Sequence, residues 1–144
     1  MADKEILIKK IDQIDGLLNE MEVFLARPFD EFVKDIAIIR ATERSFQLLI
    51  DTASDINGHI LVELGNVAAD SYRQTFTQLA EEKILPRELE DKLVEAAKIR
   101  NILVHEYDFE EDYEKFYTSA KELLPTFREY ARVIYHYIRE RQQE

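Results

Sequence analysis

The sequence predicts an all-α protein, an antiparallel bundle of four long helices and one short helix. Three observations carry this. Apolar residues recur in alternating steps of three and four along most of the chain, the pattern of helices packed lengthwise. Just 3 Gly and 3 Pro occur in 144 residues, too little turn chemistry for an all-β fold. The chain is 46% hydrophobic and 34% charged, which supplies a core and a solvated exterior and argues against disorder. No linker, low-complexity tract or internal repeat divides it, so residues 1–144 read as a single domain of common size.

The first helix is expected from about Lys4 to Ala26, with Leu7, Ile11, Ile14, Leu18, Met21 and Leu25 forming its apolar seam. Pro28 ends it, and Asp30 is the expected cap of a second helix running from about Glu31 to Leu64. That helix presents Ile39, Phe46, Ile50, Ala53, Ile60 and Leu64, with Asn57 as a polar interruption and Gly65 as its stop. A shorter helix is predicted over about Asp70 to Lys83, with Tyr72, Phe76 and Leu79 inward. Pro86 suits the first turn of the next helix, which continues to about His105 on a stripe of Leu89, Leu93, Ala96, Ile99 or Arg100, and Leu103. The acidic run Asp108-Phe109-Glu110-Glu111-Asp112 places a cap and negative charge at the start of a last helix. Its inward residues are Tyr113, Phe116 or Tyr117, Ala120, Leu124, Phe127, Ala131, Ile134 and Ile138, and Pro125 is expected to kink it.

Composition removes several function classes. With no Cys there is no disulfide scaffold, thiolate zinc site, Fe–S cluster or Cys nucleophile. No Gly-rich loop is available to cradle a nucleotide phosphate. A formal net charge of −11 argues against a surface coated in phosphate-binding cations, though not against a local basic site. The N-terminal residues are charged from Asp3 onward, and no stretch approaches the roughly 18 apolar residues of a membrane span. A cytoplasmic protein without membrane partners is the expectation. Asp51, Asp55, His59 and Glu63 make a carboxylate–His ladder in steps of four, but di-iron bundles need paired Glu-x-x-His motifs, which are absent. No metal and no cofactor are expected, and the ladder reads as a solvated or interface stripe.

One segment stands apart from the solvated polar faces: Ile99-Arg100-Asn101-Ile102-Leu103-Val104-His105-Glu106-Tyr107. It puts Arg, Asn, His and Tyr beside an apolar stripe at the predicted end of a helix. Those residue types suit cleavage of RNA by its own 2′-OH. That reaction needs a base for the hydroxyl, an acid for the leaving oxygen and positive charge at the phosphate. His titrates near neutrality, and Arg grips phosphate oxygens with a fork of donors. Arg100 and His105 point about 140° apart on a regular helix. One phosphate meets both only if the helix loosens near His105 or a second subunit closes the site. One His is also short of two proton-transfer roles, and a two-fold dimer supplies the second. On spacing alone the plainer reading stays open, an Arg–His–Tyr group that caps a helix end and complements its dipole.

Arg100-x4-His105-x-Tyr107, with Asn101 after the Arg, resembles the signature of the HepT-like toxins of the HEPN superfamily. The likeness extends to Ala41–Asp51, Asp55–Ile60, the Tyr72-Arg73-Gln74-Thr75-Phe76 segment and the Ile84-Leu85-Pro86 turn, about residues 5 to 120 in all. The resemblance implies a HEPN-like helical bundle and a homodimeric, metal-independent endoribonuclease toxin, with Arg100 and His105 catalytic and Asn101 supporting. It implies a cognate MNT-type nucleotidyltransferase as antitoxin, which silences the toxin by transferring AMP to Tyr107. An adenylylated Tyr two residues from His105 adds bulk and negative charge where an RNA phosphate belongs. The five acids between Asp108 and Glu114 depart from an RNA-friendly field.

Arg40 and Arg44 are further candidates for phosphate contacts, against the plainer reading of surface pairs. His136 reads as surface or dimer packing, and Arg128, Arg132 and Arg139 as a solvated face. The second function class is a catalytically silent helical subunit that binds for a small nucleotidyltransferase. The complete Arg100-Asn101-His105-Tyr107 set favours the nuclease, and the net charge of −11 favours the silent subunit slightly.

Overall fold

In the computed structural model, residues 4–105 and 113–141 are described. They form helices α1 (Lys4–Leu25), α2 (Phe29–Phe32), α3 (Ile36–Glu63), α4 (Tyr72–Glu81), α5 (Arg87–His105) and α6 (Tyr113–Arg141). Four are long, α4 is short, and α2 is a single turn. The six seam residues expected of α1 are all buried.

The chain departs from the expected second helix at its start. The carbonyl of Pro28 accepts the N–H groups of Glu31 and Phe32, so a turn forms at once and α2 begins at Phe29. Phe32 is buried and packs edge-on against Tyr117, which anchors that turn to α6. The backbone then extends at Asp35 (φ −111, ψ 92), whose side chain accepts the Ile38 N–H at 3.2 Å. Asp35, held by Arg27 at 3.1 Å, is therefore the cap of the long helix, and Asp30 lies within α2 instead.

The other ends follow local chemistry. Gly65 sits at φ +82, with Gly65 N–H bonded to Val62 and Asn66 N–H to Leu61, a Schellman stop for α3. The same pair of bonds closes α4 around Lys83, a non-glycine residue at φ +64. Pro86 lies one residue before α5 rather than inside its first turn, and its carbonyl accepts the N–H groups of Leu89 and Glu90. α6 continues across Pro125 as one helix, although the ring removes the bond that residue 125 would donate to Lys121. Leu123, rather than Leu124, takes the buried position beside it.

Contacts set the directions. Lys10 meets Asp55 and Glu20 meets Ser45, so α1 and α3 are antiparallel. Phe116 packs on Phe46, the Tyr130 hydroxyl reaches the Ala53 carbonyl, and Arg141 pairs with Glu63, so α6 lies along α3 in the same direction. At the centre, Tyr130 donates its hydroxyl to Asn57 Oδ1 at 2.5 Å, and Asn57 Nδ2 donates to Thr75 Oγ1 at 3.1 Å. Thr75 in turn donates to the Tyr72 carbonyl at 2.7 Å. The polar interruption in the α3 seam thus ties α6 to α4 and fixes where α4 begins. Among the described residues no helix is long and apolar enough to cross a membrane.

Candidate functional site

Tyr72 is the first residue of α4, positioned by the Ser71 cap, whose side chain accepts the Gln74 N–H, and by the bond from Thr75. Asp51 follows the buried Ile50 on α3, at the rim of the seam. Arg100 comes from α5 and lands between them. Its side chain is 17% exposed. Nε donates to Asp51 Oδ1 at 3.2 Å, and Nη2 lies 3.1 Å from the same oxygen. Nη2 is also 3.5 Å from the Tyr72 hydroxyl, and the guanidinium carbon sits 4.5 Å above the Tyr72 ring centre. A cation–π contact this sheltered contributes about 1 kcal/mol. Burial, and then the Asp51 charge, push the Tyr72 phenol above its ordinary value, opposed by Arg100. It stays protonated at neutral pH.

Asn101 is half-buried on the next position of α5, and Ile102 is exposed. His105 closes α5, which stays helical to that residue. Five residues on a regular helix give about 7.5 Å of rise and about 140° of rotation from Arg100. Tyr107 and the acidic run from Asp108 to Asp112 lie outside the described residues.

Arg44 shares the α3 stripe of Leu48, Asp51 and Asp55 by steps of four, three and four. It is exposed and donates to Gln47 at 3.4 Å. Arg40, one turn earlier, is spanned by an ion pair to Glu43 at 2.9 Å. Both have local partners, and both face outward on the helix that carries Asp51.

The carboxylate–His ladder is dispersed among cations. Asp51 holds Arg100, Asp55 holds Lys10 at 2.5 Å with His59 at 3.9 Å, and Glu63 pairs with Arg141. Between α3 and α4 a groove of about 660 Å³ runs past Asp51, Ser54, Asp55, Gly58, His59 and Tyr72. It opens beside the Arg100 contact. Asp51 and Tyr72 are the members of this site that the sequence reading assigned elsewhere, to the ladder and to the core. The available signal was Arg100 itself: an Arg on an apolar stripe requires a partner, although nothing local says which acid supplies it.

Comparison with known proteins follows the same lines. The tRNA nuclease HepT of Aphanizomenon flos-aquae (strain 2012/KM1/D3) is 29% identical over 133 residues, 92% of this chain and 90% of that protein. A structure of the tri-AMPylated Shewanella oneidensis HEPN toxin in complex with MNT antitoxin superposes with a TM-score of 0.82 at 25% identity, covering 93% of this chain and 98% of that one. A structure of a mutant MntA–HpeT toxin–antitoxin gives a TM-score of 0.80 at 25% identity, covering 90% and 97%. The six helices have the architecture of HEPN toxins. Residues 14–134 match the family model described as ribonuclease HepT-like, and the chain belongs to that family.

Proposed function

We propose that this protein is the toxin of a HEPN/MNT toxin–antitoxin pair, a metal-independent endoribonuclease that acts on cytoplasmic RNA as a homodimer. Arg100 and His105 are its catalytic residues, Asn101 supports them, and a nucleotidyltransferase antitoxin silences it by adding AMP to Tyr107. The observation that carries this reading is family membership together with an intact Arg100-Asn101-His105-Tyr107 set in the sequence, its first three members on α5.

The chemistry assigns each group a task. A His105 imidazole takes the proton of the 2′-OH, whose oxygen attacks the neighbouring phosphorus. The bond to the 5′-oxygen breaks, and an imidazolium returns a proton to that leaving oxygen. Arg100 stabilises the charge on the crowded phosphate. The products are a 2′,3′-cyclic phosphate and a 5′-hydroxyl. Arg100 and His105 lie on one helix, α5, at a spacing that turns them apart, so in this reading the partner subunit completes the site. Arg44, exposed on the Asp51 stripe, and Arg40 are secondary phosphate contacts in this reading. The Aphanizomenon relative makes tRNA the first substrate to test, and the AMP-bearing Shewanella toxin makes AMP transfer the first regulation to test.

The test is cleavage of end-labelled tRNA by the purified protein, with and without EDTA, alongside light scattering at micromolar concentration. The reading expects a dimer and EDTA-resistant cleavage to cyclic-phosphate ends. A monomer, or strict dependence on Mg²⁺ or Mn²⁺, contradicts it. The silent-subunit reading, to which the net charge of −11 lends weight, predicts nucleotidyltransferase binding with no cleavage at all.

A further inference from the structure

We infer that Asp51 and Tyr72 are positioning residues that hold the Arg100 guanidinium in one plane and one rotation before any substrate arrives. The inference rests on the reading of Arg100 as the phosphate-holding group. Asp51 Oδ1 takes the Nε and Nη2 edge of the guanidinium, at 3.2 and 3.1 Å. The Tyr72 ring covers one face at 4.5 Å, and its hydroxyl lies 3.5 Å from Nη2. An arginine fork has five N–H donors. With one edge and one face occupied, and no partner for Nη1 among the described residues, the two donors on Nη1 are the ones left to a phosphate in this inference, on the side away from Asp51.

The holders are themselves held. Ile50 is fully buried beside Asp51, and the Tyr72 carbonyl is tied through Thr75 to the buried Asn57. A long, rotatable Arg side chain otherwise loses its freedom when it binds. Fixing it beforehand places donors where charge develops in the transition state, an effect that appears in kcat more than in KM. The same contact has an opposite possible consequence, since a carboxylate on the guanidinium also competes with phosphate. Removing Asp51 decides between them by the sign of the change.

The experiment measures kcat and KM for tRNA cleavage, with melting temperature, for the full chain and its variants. Asp51→Asn is expected to lower kcat about 10- to 100-fold, with KM changed less than about threefold. Tyr72→Leu is expected to lower kcat about tenfold, and Tyr72→Phe to restore most of that loss because it keeps the ring. In an Arg100→Lys background, which lacks the fork, Asp51→Asn is expected to cost less than about threefold more, since its effect passes through Arg100. A merely structural Asp51 gives the same fold-loss in both backgrounds. Unchanged or faster cleavage by Asp51→Asn and Tyr72→Leu, with Arg100→Ala inactive, overturns the inference alone. If Asp51→Asn fails to fold, the Tyr72→Leu and Tyr72→Phe pair decides the question. Full activity of folded Arg100→Ala overturns the functional reading itself, and the inference with it.

Discussion

Arg100 on α5 and Asp51 on α3, 49 positions apart in the chain, meet through two nitrogen donors on a single carboxylate oxygen. The contact sits over the Tyr72 ring, so three helices converge on one guanidinium. Its support is the buried chain from Tyr130 through Asn57 and Thr75 to the Tyr72 carbonyl. Core and site are therefore mechanically continuous.

Breaking that chain is expected to cost stability. Asn57→Ala removes the amide that joins Tyr130 to Thr75, leaves each hydroxyl its backbone carbonyl (Ala53 and Tyr72) as acceptor, and should cost about 1–2 kcal/mol by urea unfolding. Tyr130→Phe should cost about 1–2 kcal/mol. Burial raises the Tyr130 phenol well above its ordinary value of 10.0, so the folded state holds it protonated where the unfolded state ionises it. The stability this represents is complete below about pH 10 and declines as pH rises beyond it. Tyr130→Phe should flatten that alkaline decline, and an unchanged alkaline slope would speak against the buried hydroxyl as its source.

A second expectation separates two acids near the start of α3. Asp35 caps the helix through the Ile38 N–H, whereas Asp30 lies in the one-turn α2. Asp35→Ala should lose about 1 kcal/mol, and Asp30→Ala should stay within about 0.5 kcal/mol of the parent. Equal losses would place the cap elsewhere.

A third concerns the end of α4. Lys83 adopts φ +64, a conformation that costs a residue with a Cβ about 1 kcal/mol. Lys83→Gly should raise stability by up to about 1 kcal/mol by urea unfolding, partly offset by the freedom glycine adds to the unfolded chain. A clear loss instead would contradict the strain.

These contrasts show what one sequence makes legible. The α1 seam, the inward residues of α6 apart from Leu124, and the place of Arg100 and His105 on the last turns of a helix follow from local periodicity and end chemistry. The break between α2 and α3 does not. Phe32, Ile36 and Ile39 keep steps of four and three across it, so the apolar rhythm passes through the interruption unmarked. Asp30 and Asp35 are both acceptable caps, and packing of Phe32 on Tyr117, a tertiary contact, decides between them. The Asp51–Arg100 pair was hidden for the same reason. Periodicity says which face a residue shares, and here leaves Ile99 and Arg100 as equal candidates for the stripe, but the partner lies two helices away.

Tyr107 should separate modification from catalysis. Tyr107→Phe removes only the hydroxyl proposed as the AMP acceptor, so RNA cleavage should largely persist while a cognate nucleotidyltransferase transfers no AMP to the protein. Undiminished AMP incorporation at wild-type level would move the acceptor to another residue.

The central claim is that Arg100 and His105 do the chemistry rather than cap a helix, and the most direct measurement is RNA cleavage by Arg100→Ala and His105→Ala beside their melting temperatures. His105→Ala should lose about 10²- to 10⁴-fold in rate, the range of a general acid–base group, and Arg100→Ala about as much. His105→Ala should melt within a few degrees of the parent, and Arg100→Ala somewhat lower because Asp51 loses its partner. Folded variants that cleave RNA at the parent rate would contradict the account.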